Sequence, residues 1–200
     1  MRQMEDLRPD PVLGERVVRA VDYALELHAT QARKATRIPY LSHVLAVCSL
    51  VLEDGGSEDE AIAALLHDGP EDQGGQAILD EIERRFGAAV ARMVLALSDT
   101  LEDPKPPWRP RKEAYLARQR HEPESVLRIS LADKLHNLRS IAIDDDGVWS
   151  RFNADKTEEA WYFRSLLEVF EERLPGSRNL PEFRRLVSEV FDTVAAETSP

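Results

Sequence analysis

The residues with the clearest capacity for chemistry lie together in Leu65-Leu66-His67-Asp68-Gly69-Pro70-Glu71-Asp72, where an apolar run meets an imidazole, three carboxylates and two helix-breaking residues. The preceding Ala61-Ile62-Ala63-Ala64-Leu65-Leu66 is apolar on nearly every side, which predicts a buried helix with His67 and Asp68 at its tip, where ionisable groups need partners. Gly69 and Pro70 are expected to end that helix, because glycine favours non-helical backbone and proline disfavours a helical residue before it. Neighbouring residues on a helix point roughly 100° apart. His67 and Asp68 therefore converge on one ion only beyond the helix end, and the stretch reads as part of a metal site followed by an acidic loop.

Other residues could complete such a site. His43 falls in the first turn of an apolar helix expected over 41–52, where a histidine either satisfies core groups or ligates. Farther on, Leu127, Leu131, Leu135 and Leu138 form a core stripe on a helix expected over 125–139, and Asp133 and Asn137 share another face one turn apart. They are either a surface pair or a working one. Among such apolar neighbours an unpaired Asp133 is costly, which calls for a metal or a cation. Two basic groups, Arg33-Lys34 with Arg37 and Lys105 with Arg109, Arg111 and Lys112, are either solvated surface or contacts for a small polyanion. His28, in the last turn of the first helix, reads as a helix-end or supporting group and not as a ligand.

The elements that must position these residues are helical throughout. Apolar residues from Val12 through Val17, Val18, Val21, Ala24, Leu25 and Leu27 recur mostly at three- and four-residue steps, giving a first helix that ends near Thr30. Residues 31–40 form a polar loop closed by Pro39. Gly55-Gly56-Ser57 makes a turn, and Ser57 with Glu60 three residues later is a capping box that starts the helix carrying His67. Short helices are expected over 77–86 and 88–97. Residues 100–110, with four prolines, are expected as an exposed, lid-like loop delivering Trp108, Arg109, Arg111 and Lys112. Helix resumes over 112–120, breaks near Pro123, and after the Asp133 helix two tail helices follow, 160–174 and one from Phe183 to Val194.

No strand alternation or internal repeat interrupts this pattern, so the fold expected is an all-α orthogonal bundle of roughly eight helices. A chain of 200 residues, 42% hydrophobic and 32% charged, is long enough for one buried core and shows no composition break that demands a second domain. A single domain over 1–200 is expected, with the motifs within about 15–175 and a C-terminal packing helix in 176–200. The one cysteine, Cys48, offers neither a disulfide framework nor a thiolate metal site. The polar start MRQMEDLRPDP lacks a signal-peptide core, and nowhere do 18 apolar residues run together, so the expected location is cytoplasmic, away from any membrane. A formal net charge of -11 argues against nucleic acid as a partner.

Taken in order, His43, His67-Asp68 and Asp133 resemble the H…HD…D pattern of the HD-domain metal-dependent phosphohydrolases. The wider wording is similar to the hydrolase domain of RelA/SpoT proteins. It runs through Ala32-Arg33-Lys34, Pro39-Tyr40-Leu41-Ser42-His43, Ala63 to Asp68 with Glu71-Asp72, Phe86-Gly87, Arg111-Lys112, and Leu131-Ala132-Asp133-Lys134-Leu135-His136-Asn137-Leu138-Arg139. The stand-alone size resembles the small alarmone hydrolases of the metazoan SpoT type.

The resemblance implies removal of the 3′-pyrophosphate from guanosine tetra- or pentaphosphate, yielding GDP or GTP plus pyrophosphate with one Mn²⁺ per chain. It carries over His43, His67, Asp68 and Asp133 as the metal ligands, a donor set that suits a hard-to-borderline ion. Glu71 and Asp72 are implied to orient and deprotonate water, and Asn137 to hold the scissile phosphate or the nucleophile. Arg33 and Lys34 are implied to meet base and phosphates, Arg111 and Lys112 the far phosphates, and Tyr162 the nucleotide. The chain departs from the family at Gly69-Pro70, in the proline-rich loop with Trp108, and at Asp144-Asp145-Asp146-Gly147, all nearer the nucleotide than the metal. Two alternatives follow: an HD enzyme for another nucleotide (ppApp, NADPH or a nucleoside mono- or triphosphate), or a non-catalytic alarmone-binding module.

Overall fold

In the computed structural model, residues 13–102, 104–143, 149 and 154–192 are described. Val12, the Asp144 to Gly147 run and Val194 lie outside the described residues. Among those described, the regular structure is helical apart from an isolated bridge between Ala32 and Pro39.

The amphipathic start forms α1 (Glu15–Leu27), which ends at His28. The apolar segments that follow become α2 (Leu41–Glu53) and α3 (Glu58–Leu66). From Glu60 to Leu66 every residue of α3 is buried, and α1, α2, α6 (Ala88–Leu97) and α8 (Glu124–Ile143) all pack around it. That helix is the axis of the core because it has no polar face to give to water. Its start is fixed by the expected capping box: the Ser57 hydroxyl accepts from the Glu60 amide at 3.3 Å and the Glu60 carboxylate accepts from the Ser57 amide at 2.8 Å. Gly56 makes the turn possible, since a Cβ there would lie 2.5 Å from Val51 Cγ1 and 2.8 Å from its carbonyl oxygen.

Three sequence expectations need correction. The acidic segment after His67-Asp68 is not a loop: Gly69–Gln73 forms a short helix, α4, with Pro70 in its first turn and the Asp72 amide donating to the Asp68 carbonyl at 3.0 Å. Proline is tolerated there because first-turn amides have no intrahelical acceptor to lose. The same rule moves the end of the proline-rich loop. Helix α7 (Trp108–Gln119) begins four residues earlier than expected, with Pro110 at its third position. Finally, α8 runs on to Ile143 and so presents Ser140 and Ile141 on the Asn137 side.

Between these, α5 (Gly75–Phe86) packs against α4 and α6. The tail forms α9 (Lys156–Arg173), capped by the Asp155 side chain accepting from the Glu158 amide, and α10 (Leu180–Phe191), which packs on α8 and α9. Phe170 and Phe183, 5.5 Å apart and edge to face, are fully buried where the tail helices meet. Each such ring contributes roughly 1.5–3 kcal/mol by leaving water.

Candidate metal centre and its cationic cavity

Three helices deliver the four candidate ligands. His43 comes from the first turn of α2, His67 and Asp68 from the junction of α3 and α4, and Asp133 from the middle of α8. One ligand atom each of His43, His67 and Asp133 falls within 4.8 Å of the others, and all three residues are buried. Asp68 Oδ2 joins them, 3.0 Å from His67 Nε2 and 3.5 Å from His43 Nε2, while Asp133 Oδ1 lies 3.3 Å from His43 Nε2 and 3.8 Å from His67 Nε2. The structure thus brings together the whole set picked out in the sequence. His67 and Asp68 converge because the chain leaves α3 at Leu66 and restarts at Gly69, which turns the Asp68 carboxylate back toward the imidazoles.

The protonation pattern suits a cation. His67 Nδ1–H donates to the Ala64 carbonyl at 2.8 Å, so Nε2 is the ring nitrogen left to face the carboxylates. That nitrogen is buried and has no well-aligned hydrogen bond, although two carboxylates crowd it. A nitrogen so placed, facing two carboxylates, sits where positive charge is held, as a proton or as a shared cation. Burial works to strip the His67 ring of a proton, yet Asp68 and Asp133 outweigh it and raise its pKa well above the ordinary value. Burial likewise opposes ionisation of Asp68 and Asp133. His67 and His43 outweigh it at Asp68, Lys134 with the same two histidines at Asp133, and both carboxyls stay well below their usual range. Two imidazoles and two carboxylates with no thiolate make this a centre for a divalent metal.

Residues that sequence reasoning does not single out hold the ligands in place. Tyr40 donates its hydroxyl to Asp68 Oδ2 at 2.6 Å, His136 faces His43 across 2.8 Å between their Nδ1 atoms, and Lys134 donates to Asp133 Oδ2 at 2.6 Å. Their signal was adjacency: each stands within the recognised motifs, but hydrogen bonds across helices cannot be read from a single chain segment. Asn137, as expected, shares a face with Asp133, donating to Oδ1 at 2.7 Å, and its own oxygen accepts from Arg33 at 2.8 Å.

Tyr40, Lys134, His136 and Asn137 also line a cavity of about 640 Å³, so the ligand cluster lies directly behind its wall. Six cations line this cavity, Arg33, Lys34, Lys105, Arg111, Lys112 and Lys134, in a chain of formal charge -11. Arg37 and Arg109 do not line it; Arg109 instead pairs with Glu113 and Glu158 and lies over the Trp161 ring. Arg111 and Lys112 are positioned by Asp99, which accepts from both, and its amide donates to Glu71 Oε2 at 3.0 Å. Burial and the nearby Lys134 lower the Lys112 pKa despite Asp99. Lys112 Nζ sits 4.8 Å from the centre of the Tyr162 ring, which also lines the cavity and whose buried hydroxyl has no partner among the described residues. Trp108, on the first turn of α7, meets Tyr162 edge to face at 6.1 Å.

The two acids after Asp68 part company. Glu71 accepts from Lys105 Nζ of the proline-rich loop at 3.0 Å, and Asp72 accepts from Gln31 Nε2 at 2.8 Å. The protein around the Asp72 carboxyl and the charge of Asp68 both raise its proton affinity. His28 is buried and supports its neighbours, as the sequence suggests, with Nδ1 against the Gln31 side-chain oxygen at 2.7 Å.

Known proteins resemble this chain to different extents. The family model described as "HD domain" matches residues 20–158. The human guanosine-3′,5′-bis(diphosphate) 3′-pyrophosphohydrolase MESH1 is 31% identical over 169 residues, covering 83% of this chain and 89% of that protein. Its counterpart from Xenopus tropicalis is 34% identical over 169 residues, covering 83% and 88%. Among solved structures, one described as a metazoan ortholog of SpoT that hydrolyzes ppGpp aligns with a TM-score of 0.69 over 94% of this chain and 98% of that one. At 22% identity that likeness concerns the all-α fold.

Proposed function

We propose that this chain, which belongs to the HD-domain family, hydrolyses guanosine-3′,5′-bis(diphosphate) at its 3′-pyrophosphate to GDP and pyrophosphate, using a single Mn²⁺. The observation that carries the proposal is the His43, His67, Asp68 and Asp133 cluster set directly behind a cavity with six cations on its wall. A small, highly charged anion is what such a cavity concentrates, and the acidic exterior disfavours large ones. The names of the human and Xenopus relatives support this substrate.

When bound, the ion supplies Lewis acidity toward a phosphoryl oxygen and makes water a better nucleophile. The chain's own residues do the rest. Arg33, Lys34, Arg111 and Lys112 hold phosphates and offset their charge, with Arg33 prepared for the role by its bond to Asn137. Asn137 holds the scissile phosphate beside Asp133, and Tyr162 with Trp108 gives the nucleotide an aromatic wall. Glu71 and Asp72 orient water and take its proton as it attacks phosphorus, and the 3′ oxygen leaves and is protonated. Among the described residues no helix is long and apolar enough to cross a membrane, which is compatible with the cytoplasmic action proposed.

The test is hydrolysis of ppGpp by metal-stripped protein with and without added Mn²⁺, beside ppApp, NADPH and GTP, scored for pyrophosphate against phosphate. Mn²⁺-dependent pyrophosphate release from ppGpp is expected. Turnover of another nucleotide alone would overturn the substrate, and Mn²⁺ binding without any turnover would overturn catalysis.

A further inference from the structure

Asp72 occupies an awkward place for a group that must aim at a water molecule. It lies near the end of α4, a helix of only five residues, and its side chain is exposed. A helix that short has little rigidity of its own, and an exposed carboxylate exchanges rotamers freely. Something outside α4 has to hold it. The candidate on the structure is Gln31, whose Nε2 donates to Asp72 Oδ2 at 2.8 Å.

Gln31 is itself fixed in position and in sense. Its backbone amide donates to the His28 carbonyl at 3.1 Å and its carbonyl accepts from the Tyr40 amide at 2.9 Å, so the main chain is tied on both sides. Its side-chain oxygen is claimed by His28 Nδ1 at 2.7 Å and by Gln73 Nε2 at 2.5 Å. Turning the amide over would set its oxygen against the Asp72 carboxylate, acceptor against acceptor. The carboxamide therefore has one favourable orientation, the one that donates to Asp72. His28 in turn is buried at the end of α1, with its ring centroid 4.9 Å from that of Tyr40, the residue that bonds the metal-ligand candidate Asp68 at 2.6 Å. One buried imidazole thus braces two of the motif's three acids, Asp68 through Tyr40 and Asp72 through Gln31.

We propose that Gln31, oriented by His28, is a positioning residue that holds the Asp72 carboxylate on the attacking water, a role that rests on the hydrolase function proposed above. In that arrangement Gln31 makes no contact with the phosphates and none with the metal. Its loss acts on the reaction step through Asp72 and leaves binding untouched.

Two measurements test this. In Gln31→Met, which keeps length but removes the donor, kcat for ppGpp should fall about tenfold or more, the worth of one hydrogen bond to a charged group. KM and Mn²⁺ affinity should stay within about twofold, since no phosphate or metal contact is removed. A loss expressed in KM or in metal affinity instead would overturn the assignment. Independently of any turnover, the side-chain NH₂ signals of Gln31 are read by NMR in the protein loaded with diamagnetic Mg²⁺. One amide proton should be displaced downfield by the carboxylate, return on Asp72→Ala, and lose its fixed position in His28→Leu. Signals identical in the parent protein and in Asp72→Ala would overturn the brace. If the parent protein leaves ppGpp intact, the proposed substrate fails, while the NMR experiment still decides whether Gln31 holds Asp72.

Discussion

His136 turns its Nδ1 to within 2.8 Å of Nδ1 of His43, so one of the two nitrogens must donate and the other accept. Burial, His43 and Arg33 lower the His136 pKa to about 4, which keeps that ring neutral near pH 7. With the His136 Nδ1 lone pair as acceptor, His43 donates from Nδ1 and keeps Nε2 unprotonated, facing Asp68 and Asp133. In that one of the two assignments His136 supports the tautomer of His43 that could ligate an ion. Removing such a support lowers metal affinity by roughly 10–100-fold. His136→Ala should show that loss in a Mn²⁺ titration with little change in melting temperature, whereas His43→Ala and Asp68→Ala should abolish stoichiometric binding. Full metal occupancy in Asp68→Ala would remove it from the ligand set.

Glu71 is held between a backbone amide and Lys105, and the two partners do different things. The Asp99 amide fixes the carboxylate in place, while Lys105 brings a cavity cation beside it. Glu71→Gln should retain Mn²⁺ and lose turnover by about 10²–10⁴-fold, the usual contribution of a positioned base. Lys105→Met should mainly raise KM and weaken its dependence on salt, because it removes one charge from a polyanion site. Steady-state kinetics at two ionic strengths separate these outcomes, and normal kcat in Glu71→Gln would move water activation wholly to other groups.

Glu159, on α9, is the one acid on the cavity wall among the described residues. Burial raises its carboxyl to about 7, and Lys112, Lys134 and Lys34 do not fully counter it. In the unfolded chain this group ionises near 4.5, so between about 4.5 and 7 the folded protein holds the extra proton. Stability from this group therefore falls as pH rises through that window and is level above it, by on the order of 3 kcal/mol in all. Glu159→Gln should remove the slope, measured as the difference in urea midpoints between the two proteins across pH 4.5 to 8. The same carboxylate, once ionised, opposes an incoming polyanion. KM for ppGpp should rise above pH 7 in the parent protein and stay flatter in Glu159→Gln.

Much of this site is legible in the sequence because its candidate ligands ride on helices whose apolar period is strong. Leu65 and Leu66 mark α3 as buried, and the Leu127, Leu131, Leu135, Leu138 stripe fixes which way α8 turns, so His67 and Asp133 are found from local pattern. The junction after Asp68 is less legible, since Gly-Pro reads equally as a stop and as the first turn of a new helix. Least legible are groups defined by contacts between distant segments. Asp99 looks like an ordinary loop acid, yet it orients Arg111 and Lys112 and touches Glu71 through its amide. Lys134, beside Asp133 in sequence, points into the site because α8 places consecutive residues on different faces, and here both faces are enclosed.

The delivery of His67 depends on where α3 starts, and two residues fix that start. Ser57 and Glu60 exchange hydrogen bonds, and the Glu60 carboxylate also pairs with Arg128 on α8, so the cap ties α3 to the helix that carries Asp133. Ser57→Ala removes the side-chain acceptor and should cost about 1 kcal/mol. Gly56→Ala should cost more, because the new Cβ meets the Val51 backbone carbonyl at 2.8 Å, a clash that moving the Val51 side chain does not relieve. Both changes lie a full helix away from the ligands. In urea titrations the midpoint should therefore drop for both, more for Gly56→Ala, while the Mn²⁺ affinity of the folded protein is retained in Ser57→Ala. Lost metal affinity in a folded Ser57→Ala protein would mean that the register of α3, and not only its stability, depends on the cap.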